Sequence, residues 1–131
     1  MHIHFICRGN VYRSRLAEAY AKSITNKNKE IVITSSGVEA DLALNDDTDL
    51  VIIKLLKAEG IDKFMKSSWT QTKQGHIDNA DTIVFMSETV YQDAQKFLDI
   101  PKEKTIVWHI PDKDGIYPEI KKQVNNLLRA S

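Results

Sequence analysis

The chain has 131 residues, of which 42% are hydrophobic and 27% are charged, a balance typical of a folded globular protein rather than a disordered one. Eighteen basic residues offset eighteen acidic ones, so no overall field favours nucleic acid or an anionic membrane as a partner. No apolar run reaches the ~20 residues of a membrane-spanning helix, and the first residues lack the features of a secretory signal. We therefore expect one cytoplasmic domain over residues 1–131.

Strand-like and helix-like segments alternate along the chain. The strand-like runs are almost continuously apolar, as in strands covered on both faces; they comprise His2–Ile6, Ile31–Ser35, Thr82–Met86 and Thr105–His109. Helical spacing of apolar residues predicts helices from Ser14 to about Lys27, over Asp47–Glu59, and from Pro118 onward. A further helix is predicted after an N-cap at Ser87, with Val90, Ala94, Phe97 and Leu98 as its apolar residues. This order predicts an α/β fold with a parallel sheet, right-handed crossovers and helices on both faces.

The chain contains one cysteine, Cys7. A lone thiol cannot form an internal disulfide, nor can it supply the several thiolates of a structural zinc site. His2 and His4 lie on one face of the first predicted strand, but two histidines with no evident third ligand favour strand packing over metal binding. The sequence thus predicts no metal and no cofactor, and the function depends on what Cys7 does.

Ligands of parallel α/β sheets bind beyond the carboxyl ends of the strands, and the first such loop runs from Cys7 to Ser14. The loop opens a helix, where unsatisfied main-chain N–H groups and the helix dipole form an anion site. Gly9 and Asn10 tolerate left-handed backbone angles, which let successive amides curl around a tetrahedral anion. Arg13 can grip two phosphate oxygens at once, and the Ser14 hydroxyl can bond the sulfur.

The same loop is predicted to ionise the Cys7 thiol. A free cysteine has a pKa near ~8.5, so being mostly thiolate at pH 7 requires at least ~2.7 kcal/mol of stabilisation. A helix N-terminus supplies up to ~2 kcal/mol, and hydrogen bonds to a charged acceptor add ~1.5–3 kcal/mol. The sum suffices without a histidine base. Cys7 is therefore predicted to be a nucleophile and not a small core residue.

The loop resembles the phosphate loop of the low-molecular-weight protein tyrosine phosphatase family. The resemblance lies in Cys7, five intervening residues, Arg13 and Ser14, with Leu16-Ala17-Glu18 behind them. Other segments resemble the family in the expected order along almost the whole chain: Ser35-Ser36-Gly37-Val38, Gly60-Ile61-Asp62 and Ala80-Asp81 before the third strand. The resemblance implies a four-stranded parallel sheet in the order 2-1-3-4.

The resemblance also implies roles for individual residues. The phosphate-binding residues would be those of the loop: Arg8, Gly9, Asn10, Val11, Tyr12, Arg13 and Ser14. The residues that support the loop would be Asn10, Ser14 and Ser35, and the walls of the substrate slot would be Val11, Tyr12 and Tyr117, unless either tyrosine simply packs on the core. Inorganic phosphate, sulfate and vanadate are the expected ligands of such a site.

The reaction that the resemblance implies is two-step hydrolysis of a phosphate monoester. Cys7 would attack phosphorus to form a phosphocysteine, while loop amides and Arg13 hold the three equatorial oxygens. An aspartic acid would protonate the leaving oxygen and then, as a base, activate water. The family carries this acid in an Asp-Pro-aromatic loop. Asp112 is the positional match, although Lys113 replaces the proline, and Asp114 is a competitor two residues on.

Several substrate classes stay open. Thioredoxin-linked arsenate reductases share the loop, but they relay a disulfide through further cysteines, which this chain lacks. Phosphoarginine phosphatases of the family carry threonine where Val11 stands, and an apolar Val11 suits a phenyl ring, so phosphotyrosyl proteins are the predicted substrates. Arg8 adds positive charge beside Arg13 and Arg15 that would favour anionic substrates, unless its side chain is simply solvated. The altered acid loop leaves open a phosphate-binding or regulatory module without turnover.

Overall fold

The computed structural model describes residues 1–41 and 50–130. These residues form a four-stranded sheet in which all neighbouring strands run parallel. The strands are β1 (His2–Cys7), β2 (Val32–Gly37), β3 (Thr82–Phe85) and β4 (Thr105–Val107). Their spatial order is β2-β1-β3-β4, which confirms the order 2-1-3-4 that the resemblance implied.

The helices of the described residues follow or precede these strands in the predicted alternation. They are α1 (Arg13–Thr25), α2 (Leu50–Ala58), α3 (Gln74–Asn79), α4 (Glu88–Gln95) and α5 (Tyr117–Arg129), with short 3-10 turns at Asp62–Phe64 and Lys102–Lys104. The predicted beginning of the second helix at Asp47, with caps from Asn45, lies outside the described residues. Its predicted end is confirmed, because Gly60 has φ 71° and stops the helix in the left-handed region.

Strand bounds differ from the predicted ones by one or two residues. β1 and β2 extend through Cys7 and Gly37, which lie opposite each other in the register of the sheet. The first residue of the phosphate loop is therefore still held by strand pairing. β3 and β4 end earlier than predicted, at Phe85 and Val107.

Two further differences concern the face of the sheet covered by α3 and α4. The helix at Gln74–Asn79 was not predicted from the sequence. Ile77 is the one buried residue of this segment, so its apolar residues show no helical spacing. Ser87 caps α4 as predicted, with its hydroxyl accepting from the Val90 N–H at 3.4 Å. The predicted packing of Phe97 on this helix is wrong, since α4 ends at Gln95 and Phe97 is 53% exposed.

The sheet separates two apolar cores, and β1 shows how the sequence builds both. Successive side chains of a strand point to opposite faces. Ile3, Phe5 and Cys7 therefore lie in the core that contains residues of α1 and α5, whereas Ile6 lies in the core that contains residues of α3 and α4. Cys7 thus ends a buried strand, at the carboxyl edge of the sheet.

The polar face of β1 carries the two histidines. His4 is fully buried, and its ring nitrogens lie 2.5 Å from Thr34 Oγ1 and 2.7 Å from Ser36 Oγ. Its ring stacks on that of His76 with the centroids 5.0 Å apart, and His2 shares the Thr34 hydroxyl. These contacts make the histidines part of the strand packing. Residues 1–41 and 50–130 contain no group of three His, Cys, Asp or Glu side chains placed to bind a metal ion.

None of the helices in the described part of the chain combines the length and the apolar character needed to span a bilayer.

Candidate active site

The loop after β1 curls back on the Cys7 sulfur. Within residues 7–14, Asn10 is the residue with positive φ, at 55°. Gly9 and Asn10 were both predicted to tolerate left-handed backbone angles, and it is Asn10 that adopts them. In this conformation the Asn10 main-chain N–H points to the sulfur, with its nitrogen 3.2 Å from Cys7 Sγ. Leu16 N–H then donates to the Tyr12 carbonyl, and the chain has turned into α1.

Gly37 lies directly against this loop. A Cβ atom at Gly37 would be 2.6 Å from Arg8 O and 2.6 Å from Asn10 N, closer than such atoms pack. Next to it, the N–H groups of Val38 and Glu39 donate to the carbonyls of Cys7 (3.0 Å) and Arg8 (2.8 Å). The end of β2 therefore fixes the base of the loop, and only glycine allows the two backbones to come this close.

A chain of buried hydrogen bonds connects the thiol to the protein interior. Ser14 Oγ lies 2.9 Å from Cys7 Sγ. Asn10 Nδ2 donates to Ser14 Oγ at 2.7 Å and to Ser35 Oγ at 2.9 Å. The Ser35 hydroxyl in turn donates to the carboxylate of Glu18, which is 3% exposed. The three residues predicted to support the loop thus form one network.

The direction of these bonds is set at two points away from the thiol. The Glu18 carboxylate only accepts, so it takes the Ser35 proton. Asn10 Oδ1 accepts from the Thr70 N–H at 2.9 Å, which orients the amide and commits both Nδ2 hydrogens to the two serine hydroxyls. Ser14 Oγ accepts from Asn10, and toward a Cys7 thiolate, which carries no proton, the Ser14 hydroxyl is the donor. Such a bond favours the charged form of a thiol.

Four residues of this network were not predicted from the sequence. Glu18 follows Ser14 by four residues on α1, so a carboxylate on a buried helix face was a readable signal. Lys66 and Thr70 lie in an irregular segment with no periodicity. Lys66 Nζ donates to the Ser35 carbonyl at 2.8 Å and to Thr70 Oγ1 at 3.0 Å. Lys22 completes the network with an ion pair to Glu18 at 2.6 Å.

Arg13 connects the loop to the segment that carries the predicted acid. Its guanidinium is buried and donates from Nη1 to the Ile110 carbonyl at 2.9 Å. Arg13 Nε lies 3.9 Å from Asp112 Oδ1, and the Asp112 side chain is 71% exposed. Asp112 therefore borders both the phosphate loop and solvent. For Asp114, an exposed residue, the described contacts show no such link to the loop.

The Arg8 side chain does not supply the free positive charge that the sequence suggested. Its Nη1 atom bonds Glu39 Oε1 at 2.8 Å and Asp93 Oδ2 at 2.7 Å. The hydrogen bond from Arg8 holds the pKa of Asp93 below its usual range. Two carboxylates thus offset the charge of the Arg8 guanidinium.

Tyr117 does not line a substrate slot as predicted. It is 4% exposed, its hydroxyl donates to Glu59 Oε1 at 2.6 Å, and Lys121 Nζ lies 4.6 Å from its ring centre. Burial and the bond to Glu59 raise the pKa of this phenol. Tyr117 therefore anchors α5 to the end of α2. Val11 and Tyr12, the other two predicted wall residues, are half-buried in the loop.

Comparison with known proteins agrees with this geometry. A family model for low molecular weight phosphotyrosine protein phosphatases matches residues 2–125. No curated protein sequence matches the chain. The fold is similar to that of a low molecular weight protein tyrosine phosphatase from T. tengcongensis, with a TM-score of 0.86 and 19% identity over 100% of this chain and 99% of that one.

Two other solved structures of similar fold carry different names. Vibrio vulnificus Wzb in complex with benzylphosphonate aligns with a TM-score of 0.84 and 16% identity over 99% of this chain and 98% of that one. The YwlE arginine phosphatase from Geobacillus stearothermophilus aligns with a TM-score of 0.79 and 24% identity over 98% of this chain and 91% of that one. Identities this low show a shared fold, but the family model covers nearly the whole chain. The chain belongs to the low molecular weight phosphotyrosine protein phosphatase family, a family of cysteine-based phosphatases.

Proposed function

We propose that this protein hydrolyses phosphotyrosine in proteins through a phosphocysteine intermediate on Cys7. The observation that carries the proposal is the geometry at the sulfur. Cys7 Sγ receives the Asn10 N–H at 3.2 Å and has the Ser14 hydroxyl at 2.9 Å, at the mouth of a loop that ends in the buried Arg13. Donors on a cysteine sulfur favour the thiolate, which is the nucleophilic form.

In the first step, the Cys7 thiolate attacks phosphorus and the bond from phosphorus to the leaving oxygen breaks. The transferring group spreads its charge over three equatorial oxygens. Loop amides and the Arg13 guanidinium would hold these oxygens, because the bond from Arg13 Nη1 to the Ile110 carbonyl leaves other N–H groups of the fork available. Phosphate, sulfate and vanadate would occupy the same cradle.

The leaving phenolate needs a proton, and Asp112 is the group proposed to give it. Its carboxylate borders the phosphate loop through Arg13 and is open to solvent. In the second step, the Asp112 carboxylate would take a proton from water, whose oxygen attacks the phosphocysteine and releases phosphate and the Cys7 thiolate. The same group thus acts as acid and then as base, and the enzyme returns to its starting state.

The choice of phosphotyrosine over phosphoarginine rests on the chemistry of Val11. Its half-buried apolar side chain lies in the loop itself, where it offers contact to a flat phenyl ring and no hydrogen bond to a guanidine. Because structural neighbours include proteins named as tyrosine phosphatases and as an arginine phosphatase, the two phosphopeptides must be compared directly.

The test is hydrolysis of aryl phosphates as a function of pH by the wild type, Cys7→Ser, Asp112→Asn and Asp114→Asn. Cys7→Ser should be inactive. Asp112→Asn should lose about 10²–10⁴-fold in kcat, and more on phenyl phosphate than on p-nitrophenyl phosphate, whose leaving group needs the acid less. Asp114→Asn serves as the matched control and should stay close to the wild type.

Specific outcomes would refute the proposal. Equal losses in both aspartate variants, or in neither, would remove Asp112 as the acid. Tight vanadate binding without turnover by the wild type would identify a phosphate-binding module. A phosphoarginyl peptide hydrolysed faster than its phosphotyrosyl counterpart would reassign the substrate.

A further inference from the structure

Lys66 bonds two of the residues that hold Asn10 in place. Its ammonium donates to the Ser35 carbonyl at 2.8 Å and to Thr70 Oγ1 at 3.0 Å. The Ser35 hydroxyl accepts one Nδ2 hydrogen of Asn10, and the Thr70 N–H donates to Asn10 Oδ1. Lys66 therefore contacts two of the three residues that bond the Asn10 side chain, and the main-chain N–H of Asn10 reaches Cys7 Sγ.

We infer that Lys66 is a positioning residue for the Cys7 nucleophile, which fixes Ser35 and Thr70 around Asn10 and places a positive charge near the thiolate. This inference rests on the proposed phosphatase function, since it assigns a role in preparing the nucleophile of that reaction. Lys66 does not touch the reacting atoms, so its effect passes through Asn10 and through the electric field.

The charge of Lys66 acts on several ionisable groups in the same part of the protein. Burial lowers the pKa of Lys66 to about 8, the positive charges of Arg15 and Lys22 lower it too, and the attraction of Glu18 and Cys7 opposes this shift. Attraction between two charges is mutual: if the Cys7 thiolate stabilises the Lys66 ammonium, the ammonium stabilises the thiolate by the same amount. Lys66 is mostly protonated at pH 7 and loses its charge as the pH rises through about 8.

A neighbouring lysine provides the contrast that a test needs. Lys63 is exposed, and its ammonium lies 5.2 Å from the centre of the Phe64 ring. Replacing either lysine by methionine removes one positive charge from the same segment. The two substitutions therefore change the net charge equally and differ in whether they disturb Ser35 and Thr70.

The experiment measures alkylation of Cys7 by iodoacetamide as a function of pH in the wild type, Lys66→Met, Lys66→Arg and Lys63→Met. In Lys66→Met the midpoint of the alkylation profile should rise by about one pH unit, and kcat/KM on p-nitrophenyl phosphate at pH 6 should fall about tenfold. Lys63→Met should match the wild type. Lys66→Arg keeps the positive charge, so its alkylation midpoint should stay closer to that of the wild type than the midpoint of Lys66→Met does.

An alkylation midpoint that is unchanged in Lys66→Met, as in Lys63→Met, would overturn the inference. If Lys66→Met does not fold by circular dichroism, Lys66→Gln replaces it, because the amide keeps a donor while removing the charge. The alkylation readout needs no turnover. A wild type inactive on aryl phosphates, with a midpoint that still depends on Lys66, would refute the phosphatase proposal and leave the role of Lys66 intact.

Discussion

The Ser14 hydroxyl lies 2.9 Å from the Cys7 sulfur. It is the last member of a network in which both serine hydroxyls accept from Asn10 Nδ2. The Ser35 hydroxyl donates to Glu18, and the Ser14 hydroxyl would donate to a Cys7 thiolate. The acceptor at the far end is a buried carboxylate that is itself paired with Lys22. The Glu18 carboxylate at one end of the network thus helps to orient the Ser14 hydroxyl toward the negative charge proposed for the Cys7 sulfur at the other end.

We predict that Ser14→Ala lowers kcat/KM on p-nitrophenyl phosphate by about tenfold to a hundredfold. The substitution removes one hydrogen bond to a charged acceptor, which is worth ~1.5–3 kcal/mol. The loss should shrink as the pH rises, because an unsupported thiol still ionises in base. Ser23→Ala is the matched control, since the Ser23 hydroxyl lies on the same helix and bonds the Tyr20 carbonyl instead. Equal activity of the two variants would contradict the role given to Ser14.

We predict that Gly37→Ala displaces the phosphate loop. The added Cβ would meet main-chain atoms of Arg8, Gly9 and Asn10 within 2.8 Å, and backbone cannot turn aside as a flexible side chain can. Overpacking of this kind costs ~1–3 kcal/mol of stability. The displaced amides should also weaken vanadate binding by more than about tenfold.

Gly75→Ala is the control for that substitution, because a Cβ there meets nothing within 4 Å. Gly75 lies in α3, where alanine is the better helix former by ~1 kcal/mol, so this variant should be at least as stable as the wild type. Vanadate titration and urea unfolding of both variants decide the question. Unchanged vanadate affinity in Gly37→Ala would show that the loop tolerates the contact.

The parts of the fold and site that sequence predicts well are those encoded locally. Four apolar runs gave the strands of the sheet, and the spacing from Cys7 to Ser14 placed the thiol, Asn10 and Arg13 on one loop. Each of these features depends on residues close together in the chain. The loop conformation follows from one residue type, because asparagine accepts the left-handed angles that Asn10 adopts.

The parts that sequence does not predict depend on residues distant in the chain. Thr70 reaches Asn10 across 60 positions and Lys66 reaches Ser35 across 31, both from a segment without any helical or strand period. The two carboxylates that pair with Arg8, those of Glu39 and Asp93, come from distant parts of the chain. Tyr117 bonds Glu59, which directly follows α2, so its surroundings depend on where that helix ends. Side-chain pairing across elements is decided by the assembled fold, so a single sequence leaves it open.

We predict that Tyr117→Phe lowers stability without changing substrate binding. The variant loses the bond to Glu59, worth ~1 kcal/mol, while the ring keeps its place beside Tyr20 and under Lys121. Urea unfolding should show this loss, and KM for a phosphotyrosyl peptide should stay within about twofold of the wild type. Val11→Ala is the comparison, and it should raise KM. A raised KM in Tyr117→Phe would restore Tyr117 as a wall of the slot.

We predict that His4 makes the protein less stable in mild acid. Burial, together with the positive charges of His76, His2 and Lys66, lowers the pKa of His4 from 6.5 to about 3. Between these values the unfolded chain binds a proton at this site and the folded protein does not. The contribution of His4 is therefore complete above pH 6.5 and is lost as the pH falls toward 3. From pH 7 to pH 5 the loss amounts to about 2 kcal/mol.

Urea unfolding at a series of pH values measures this slope in the wild type, His4→Gln and His109→Gln. Glutamine does not titrate, so His4→Gln should lose stability between pH 7 and pH 5 less steeply than the wild type, by about one proton. The slope that remains belongs to other groups, including His76, whose pKa burial also lowers. His109 is exposed, and its replacement should leave the wild-type slope intact. Parallel slopes in all three proteins would mean that His4 gains its proton in the folded state near its ordinary pKa, because water or a rearranged Thr34 and Ser36 accommodates the charge.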